Sequence, residues 1–142
     1  MTEQTFTKLL TANDSGESGG HQAGIHIPKG EKDLIAFLPR LDSRVKNPDA
    51  WINCTDETGR EWAFRYIYYN NKFHDPGGTR DEYRITHMTK YFRAVGARED
   101  DEFRISGEAG RPEHDTSVVT TDAQNQTPGT GRIKLTGWRR VH

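Results

Sequence analysis

The stretch from Ala50 to Asn70 limits the fold more than any other part of the chain. Trp62, Phe64, Tyr66 and Tyr68 alternate with Glu61, Ala63, Arg65, Ile67 and Tyr69. That period of two is the pattern of a β-strand with one face turned into a core. Ala50 to Asp56 reads as its partner strand. Asp56-Glu57-Thr58-Gly59, closing on glycine, reads as the turn of a hairpin. So many aromatic residues on one face suit the inside of a barrel. Were Trp62, Tyr66 and Tyr68 exposed instead, the same face would be a platform for a protein or a sugar.

The rest of the chain supplies more short strands and little helix. Phe6 to Leu10, Phe103 to Ser106, Ser117 to Thr121 and Arg132 to Val141 are strand candidates. Gly107 to Asp115 and Asp122 to Gly131 are loops rich in glycine, proline and aspartate. Lys29 to Leu38 reads as a helix, with Leu34, Phe37 and Leu38 on one face and Pro39 as its stop. Arg40 to Asp49 is a polar connection. His87 to Ala97 is basic and aromatic, and its pattern supports no single assignment. The expected fold is mainly β: one domain over residues 1–142, a barrel of about seven strands with one or two short helices.

The net charge of -1 rules out bulk electrostatic attraction to a polyanion, so any nucleic-acid surface must come from local patches. Such patches exist. Lys72 to Arg98 carries six basic residues against three acids, and Arg132 to His142 carries four against none. The acidic run Glu99 to Glu102 separates them. Cys54 is the single cysteine, which excludes an internal disulfide and a multi-cysteine zinc site. It reads as a small buried hydrophobe in a reducing compartment. No apolar run approaches transmembrane length, and the N-terminus lacks signal-peptide features. The expectation is a soluble cytoplasmic protein, with no membrane partner and no cofactor.

Two stretches have the make-up of arms. Thr11 to Pro28 begins as turn chemistry, with seven turn-forming residues in the eight positions from Asn13 to Gly20. It ends as a strand, His21 to Ile27, with Ile25 and Ile27 on one face and His26 on the other. Asn70 to Thr79 is a second glycine- and proline-containing loop, and Arg80 to Thr86 follows as a strand or extended arm. Base reading needs side chains with fixed forks: Arg for guanine, Asn or Gln for adenine, Glu or Asp for cytosine. The first arm offers Lys8, Asn13, Asp14, Ser18, His21 and Gln22. The second offers Lys72, Thr79, Arg80, Asp81, Glu82, Tyr83 and Arg84. Acids beside arginines serve DNA binding if they read cytosine or hold an arginine in place. Alternatively, they form surface ion pairs of little consequence.

An enzyme is the competing reading. His21 and His26 lie five residues apart and point to opposite faces of a strand, so they make poor co-ligands. Gly16-Glu17-Ser18-Gly19-Gly20 lacks the spacing of a nucleophile elbow. Pro48-Asp49 could open a nuclease motif, but Glu102-Phe103-Arg104 puts arginine where lysine is wanted. A small metal-dependent nuclease or hydrolase around His21 and nearby acids is the form such an enzyme would take.

T-A-N-D-S-G-E-S-G-G-H-Q-A-G-I-H-I-P, Thr11 to Pro28, resembles the A-N-D-x-G-x-x-G-G-H-Q-x-G-x-x-I-P signature of the N-terminal effector domain of EcoRII-type restriction endonucleases. Tyr68-Tyr69-Asn70 and Gly78 to Thr86 are similar to a second block of that family, I-Y-Y-N followed by x-T-R-x-E-x-R-I-T. The resemblance covers roughly Lys8 to Ser106. It implies a DNA-binding pseudobarrel, related to the DNA-binding domain of plant auxin-response transcription factors, with two arms in the major groove. It also implies an allosteric effector role on a short GC-containing duplex site such as CCWGG. A separate C-terminal nuclease domain would do the cutting, so this stretch would bind without cleaving. His21, Arg80, Glu82 and Arg84 match the family's binding positions. His26 stands where a relative has tyrosine, and Gly78 and Tyr83 stand where it has lysine. Losing two charges should flatten the salt dependence of binding.

Overall fold

A computed structural model describes residues 3–16, 24–120 and 137–141. Among these, the elements in chain order are β1 (Gln4–Leu9), α1 (Ala12–Ser15), β2 (Ile25–Ile27), α2 (Lys32–Phe37), β3 (Asp49–Thr55), β4 (Glu61–Tyr69), a 3-10 turn (Asn71–Phe73), β5 (Glu82–Thr86), α3 (Thr89–Val95), β6 (Glu102–Gly107), β7 (Glu113–Val119) and β8 (Trp138–Arg140). The eight strands form one sheet in the order β2-β5-β4-β3-β7-β6-β1-β8. Neighbours are antiparallel except β3 and β7, where Cys54 pairs with His114 in parallel register. The sheet curls until its edges meet. The Trp138 indole N–H of β8 donates to the His26 carbonyl of β2 at 3.1 Å. This near-closed sheet is a pseudobarrel, with β2 and β8 as its two end strands and the indole bond spanning them.

The hairpin that limits the fold forms as read. β3 and β4 pair from Asp49↔Ile67 to Thr55↔Glu61. The Asp56 carboxylate organises the turn. It accepts from the Thr58 amide and hydroxyl, the Arg60 amide and the Trp62 indole, all between 2.6 and 3.0 Å. The Thr58 hydroxyl and the indole bonds together pull its pKa down to about 2. Gly59 supplies the left-handed residue at φ +87°. Phe64, Tyr66 and Tyr68 are buried and Trp62 is partly covered, so they are core rather than an exposed platform. Ile67, on the opposite face, is buried as well.

The helices are shorter and more numerous than the sequence pattern suggests. α2 starts at Lys32 instead of Lys29, because Pro28 to Lys32 closes as turns. It still buries Leu34 and Phe37, and Leu38 leaves it in extended conformation before Pro39. His87 to Ala97 contains α3, which drives Tyr91 and Phe92 into the core and ends at left-handed Gly96. The Tyr91 ring meets the rings of Trp62, Phe64, Phe92 and Phe103, so this one helix plugs the barrel. α1 occupies a stretch that composition marks as turn. The loop expected over Gly107 to Asp115 gives way to β7 at Glu113. The whole loop Asp122 to Gly131 and the start of the strand Arg132 to Val141 lie outside the described residues; within them β8 spans Trp138–Arg140.

Cys54 is fully buried, and burial, helped by the Asp115 charge, pushes its thiol up to about 12, so it is no nucleophile. His114 is buried against the Phe37 ring, and neither ring nitrogen closes a hydrogen bond. Burial holds its pKa below the ordinary 6.5, only partly offset by the Arg111 and Ser106 backbone and nearby carboxylates. A depressed folded value means the unfolded chain binds the proton first. The associated stability is whole above about pH 6.5 and is lost as the pH falls through the folded value. Urea midpoints measured from pH 8 to pH 5 should therefore fall in the parent, and the fall should be shallower in His114→Leu. Equal slopes would show that His114 does not carry the effect.

Candidate nucleic-acid interface

The base of the first arm is built from charge and capping. Thr11 caps α1, accepting from the Asp14 amide at 3.1 Å, while the Asp14 carboxylate accepts from the Thr11 amide at 3.0 Å. This reciprocal capping box makes a four-residue helix of Ala12 and three of the turn-formers, Asn13, Asp14 and Ser15. The same carboxylate is ion-paired with Lys8 of β1, and both side chains are about nine-tenths buried. Lys8 and Asp14 are thus turned inward onto each other. Asn13 lies exposed on α1. Ser18, His21 and Gln22 lie outside the described residues.

The arm returns into the sheet at Gly24. A Cβ there would meet the Ile85 carbonyl oxygen at 2.6 Å, so only glycine lets β2 run this close to β5. β2 then pairs with β5 as Ile25↔Ile85, His26↔Arg84 and Ile27↔Tyr83. Of the strand read over His21 to Ile27, residues 21–23 lie outside the described residues; within them β2 spans Ile25–Ile27, with Ile25 and Ile27 buried and His26 exposed as its alternation requires. This pairing places the end of the first arm directly beside the end of the second.

The second arm is held at its base by Asn70, which is completely buried. Its side-chain oxygen accepts from the Asn47 amide at 2.7 Å, and its side-chain nitrogen donates to the Ser43 and Val45 carbonyls at 3.2 and 2.9 Å. Its own amide donates to the Asn47 side chain at 3.1 Å. The Asn71 side chain then accepts from the Arg80 amide at 2.8 Å, closing the loop. Lys72 and Thr79 are exposed on it.

Gly78 sits against the chain it crosses: an added Cβ would lie 2.2 Å from the Asn71 carbonyl oxygen. Charge counting says that Gly78→Lys should strengthen attraction to a polyanion. The packing says the reverse. Gly78→Lys should lower the unfolding midpoint and weaken duplex binding, as read by a binding titration at low salt. Tighter binding with an unchanged midpoint would refute this.

β5 then separates the second arm's candidates by alternation. Arg80, Glu82 and Arg84 line the outer face. Asp81 and Tyr83 turn the other way, together with the buried Ile85. The Asp81 carboxylate accepts from Lys29 at 2.7 Å and from the Tyr68 hydroxyl at 2.6 Å. The Lys29 bond, then the Tyr68 bond, keep it below the usual carboxylate range. The Tyr83 ring stacks on Tyr68 with centroids 4.3 Å apart and planes at 6°. Both residues are therefore tied to the scaffold rather than presented on the outer face.

The outer face carries a compact charged cluster. The Arg80 guanidinium lies over the Tyr69 ring, 3.6 Å from its centroid, and donates through Nε and NH2 to Glu82 Oε1 at 3.1 and 2.6 Å. Arg84 NH1 stands 3.6 Å from Glu82 Oε2, and His26 Nε2 stands 4.0 Å from the same oxygen. Burial of the Glu82 carboxyl opposes its ionisation. The bond and charge of Arg80, with the charges of Arg84 and His26, outweigh that and hold its pKa down. One carboxylate thus gathers three basic side chains. The side chains stay partly exposed, Arg80 at 44% and Arg84 at 32%, so their remaining donors face outward. This is an electropositive cluster with fixed forks, the equipment needed for bidentate contact with base edges or phosphates. Lys90, on the exposed face of α3, adds a further cation. Among the described residues, no group of three or more His, Cys, Asp or Glu is placed to hold a metal ion.

Several members of this arrangement are invisible in a pattern search. The Tyr69 platform and the Lys29 anchor come from other strands and loops, and no local signal marks them. The split of Asp81 and Tyr83 from Arg80, Glu82 and Arg84 was readable, because a strand's period of two requires it once β5 is accepted as a strand.

The profile of the family described as restriction endonuclease EcoRII, N-terminal, matches residues 2–101. The type II restriction enzyme EcoRII of Escherichia coli is 36% identical over 100 residues, a match that covers 63% of this chain and 22% of that enzyme. The chain thus spans about a fifth of the length of that relative. Among solved structures, the Arabidopsis FUS3–DNA complex superposes with a TM-score of 0.59 at 19% identity, covering 80% of this chain and 94% of that one. At that identity the likeness concerns the pseudobarrel fold alone. No helix among the described residues is long and apolar enough to cross a membrane. The match over 2–101 takes in both arms and the Arg80–Glu82–Arg84 cluster, and the chain belongs to the EcoRII N-terminal domain family.

Proposed function

We propose that this chain binds double-stranded DNA sequence-specifically, with its two arms in the major groove, as the effector or specificity module of a restriction endonuclease. The observation that carries this reading is the outward pair of guanidinium groups, Arg80 and Arg84, held by Glu82 where the two arms converge. Arginine forks pair bidentately with guanine O6 and N7, so the target is a short GC-containing site. Glu82, already engaged with Arg80 and Arg84, fits the role of orienting them. Two further observations support the reading: the family is that of a restriction enzyme, and the fold neighbour was solved with DNA. Lys72, Lys90 and the glycine-rich backbone of the first arm serve the phosphates. His21, His26, Asn13, Ser18 and Gln22 complete the first arm's contacts, while Lys8 and Asp14 hold its base. The module acts in a prokaryotic cytoplasm as one domain over residues 1–142, and cutting belongs to a separate nuclease domain or partner.

The test is selection from a randomised duplex library, run on unmethylated and methylated pools. Enrichment of one short GC-containing motif is expected. Binding that enriches no motif would remove the claim of specificity. Magnesium-dependent cleavage by the chain, lost in His21→Ala, would replace this reading with the nuclease one.

A further inference from the structure

Residues 40–47 read in the sequence as a connection. In the fold they become part of the second arm. Asn70 stitches Ser43, Val45 and Asn47 to itself through three hydrogen bonds of its side chain and a fourth from its amide. His74 Nε2 lies 3.1 Å from the Ser43 carbonyl, and Lys46 pairs with Asp75 at 2.6 Å. The Lys72 amide in turn donates to the Arg80 carbonyl at 3.1 Å. One hydrogen-bonded unit therefore runs from residue 43 through Asn70 to Arg80.

What this unit exposes is unusual for a connection. Across 40–47 and 71–75, Arg40, Arg44, Lys46 and Lys72 stand against Asp42 and Asp75, with His74 alongside. The Arg44 guanidinium is 89% exposed and is fixed by two bonds of 3.0 Å to Asp42 rather than sunk into the surface. Val45 and Phe73 are 52% and 62% exposed, two of the three large apolar side chains that stand out among the described residues. Both hang on Asn70, Val45 through its carbonyl and Phe73 through its amide. A solvated loop has no need of a fully buried asparagine clamp or of apolar tips.

We infer that residues 40–47 and 71–75 form one rigid cationic shelf that holds the sugar-phosphate backbone of duplex DNA flanking the site read by Arg80 and Arg84. The inference rests on the DNA-binding reading above and extends its footprint. Arg44, Lys46 and Lys72 meet phosphates, and Val45 and Phe73 meet deoxyribose. The contacts are indifferent to base sequence, so they add affinity and salt dependence without adding specificity.

The test compares the parent chain with Arg44→Ala/Lys46→Ala on the selected duplex, on a scrambled duplex, and on the selected site cut back to its own ends. Arg60→Ala/Arg111→Ala removes the same charge elsewhere. Each lost phosphate contact flattens the slope of log K against log salt by about 0.9. The shelf variant should lower that slope by one to two units and lose affinity equally on selected and scrambled DNA. It should also bind long and trimmed duplexes alike, whereas the parent prefers the long one. The control variant should behave like the parent. An unchanged slope, with the parent's preference for long duplex retained, would overturn the shelf, whatever else that surface binds. A parent that binds no duplex even at about 50 mM salt would instead refute DNA binding as a whole.

Discussion

Arg80→Ala or Arg84→Ala should weaken binding to the selected duplex by about 1–3 kcal/mol, roughly 5- to 150-fold. The size follows from the geometry. Arg80 is held over the Tyr69 ring and braced by Glu82, so its fork is pre-organised and loses little entropy on meeting a base edge. Arg84 is held by the other oxygen of the same carboxylate. On a scrambled duplex the loss should be much smaller, because a base reader matters only where its base is present. Arg80→Lys should not rescue, since an ammonium cannot make the bidentate contact. A loss of equal size on both duplexes would turn these arginines into phosphate contacts, and no loss on either would remove the site.

Asp14→Ala should destabilise the fold by about 3 kcal/mol, the lower end of what breaking a buried ion pair costs. It strips Lys8 of its partner in a site where both side chains are about nine-tenths buried. It also removes the acceptor for the Thr11 amide. Lys8→Met/Asp14→Ala should recover part of the loss, because no unpaired charge is then left inside. Urea denaturation of the four proteins in that cycle measures it. If Lys8 and Asp14 instead touched DNA directly, Asp14→Ala would change affinity and leave the midpoint alone. The two residues therefore separate cleanly by which measurement moves.

Much of this molecule is legible before folding because its signals are local. The β3–β4 hairpin announces itself through aromatic alternation and a turn ending in glycine. The first arm carries a family signature, and the R-x-E-x-R spacing puts Arg80, Glu82 and Arg84 on one strand face at once. The errors have equally local causes. Asn13 and Asp14 have turn propensity, yet Thr11 three residues before Asp14 completes a capping box and turns them into helix. His87 to Ala97 has no clean amphipathic period, because α3 is short and buries adjacent Tyr91 and Phe92. Gly78 counts as a missing charge in the sequence, and only the crossing of Asn71 shows it to be a steric requirement.

The sequence by itself determined a mainly β chain, two arms, the family, and the arginine–glutamate–arginine triplet as the chemistry to watch. The β pattern and the arms are set by side-chain periodicity and turn preference among neighbours along the chain, whereas the family and the triplet's role are what the resemblance of two sequence blocks implies. Tertiary structure decided the rest. It turned Lys8 onto Asp14 and Asp81 onto Lys29 and Tyr68, taking three candidate charges into the scaffold. It brought His26 beside Arg84, slid Tyr69 beneath Arg80 and joined residues 43–47 to the second arm through Asn70. These outcomes depend on strand register and on hydrogen bonds between residues tens of positions apart, and no local pattern encodes such distances.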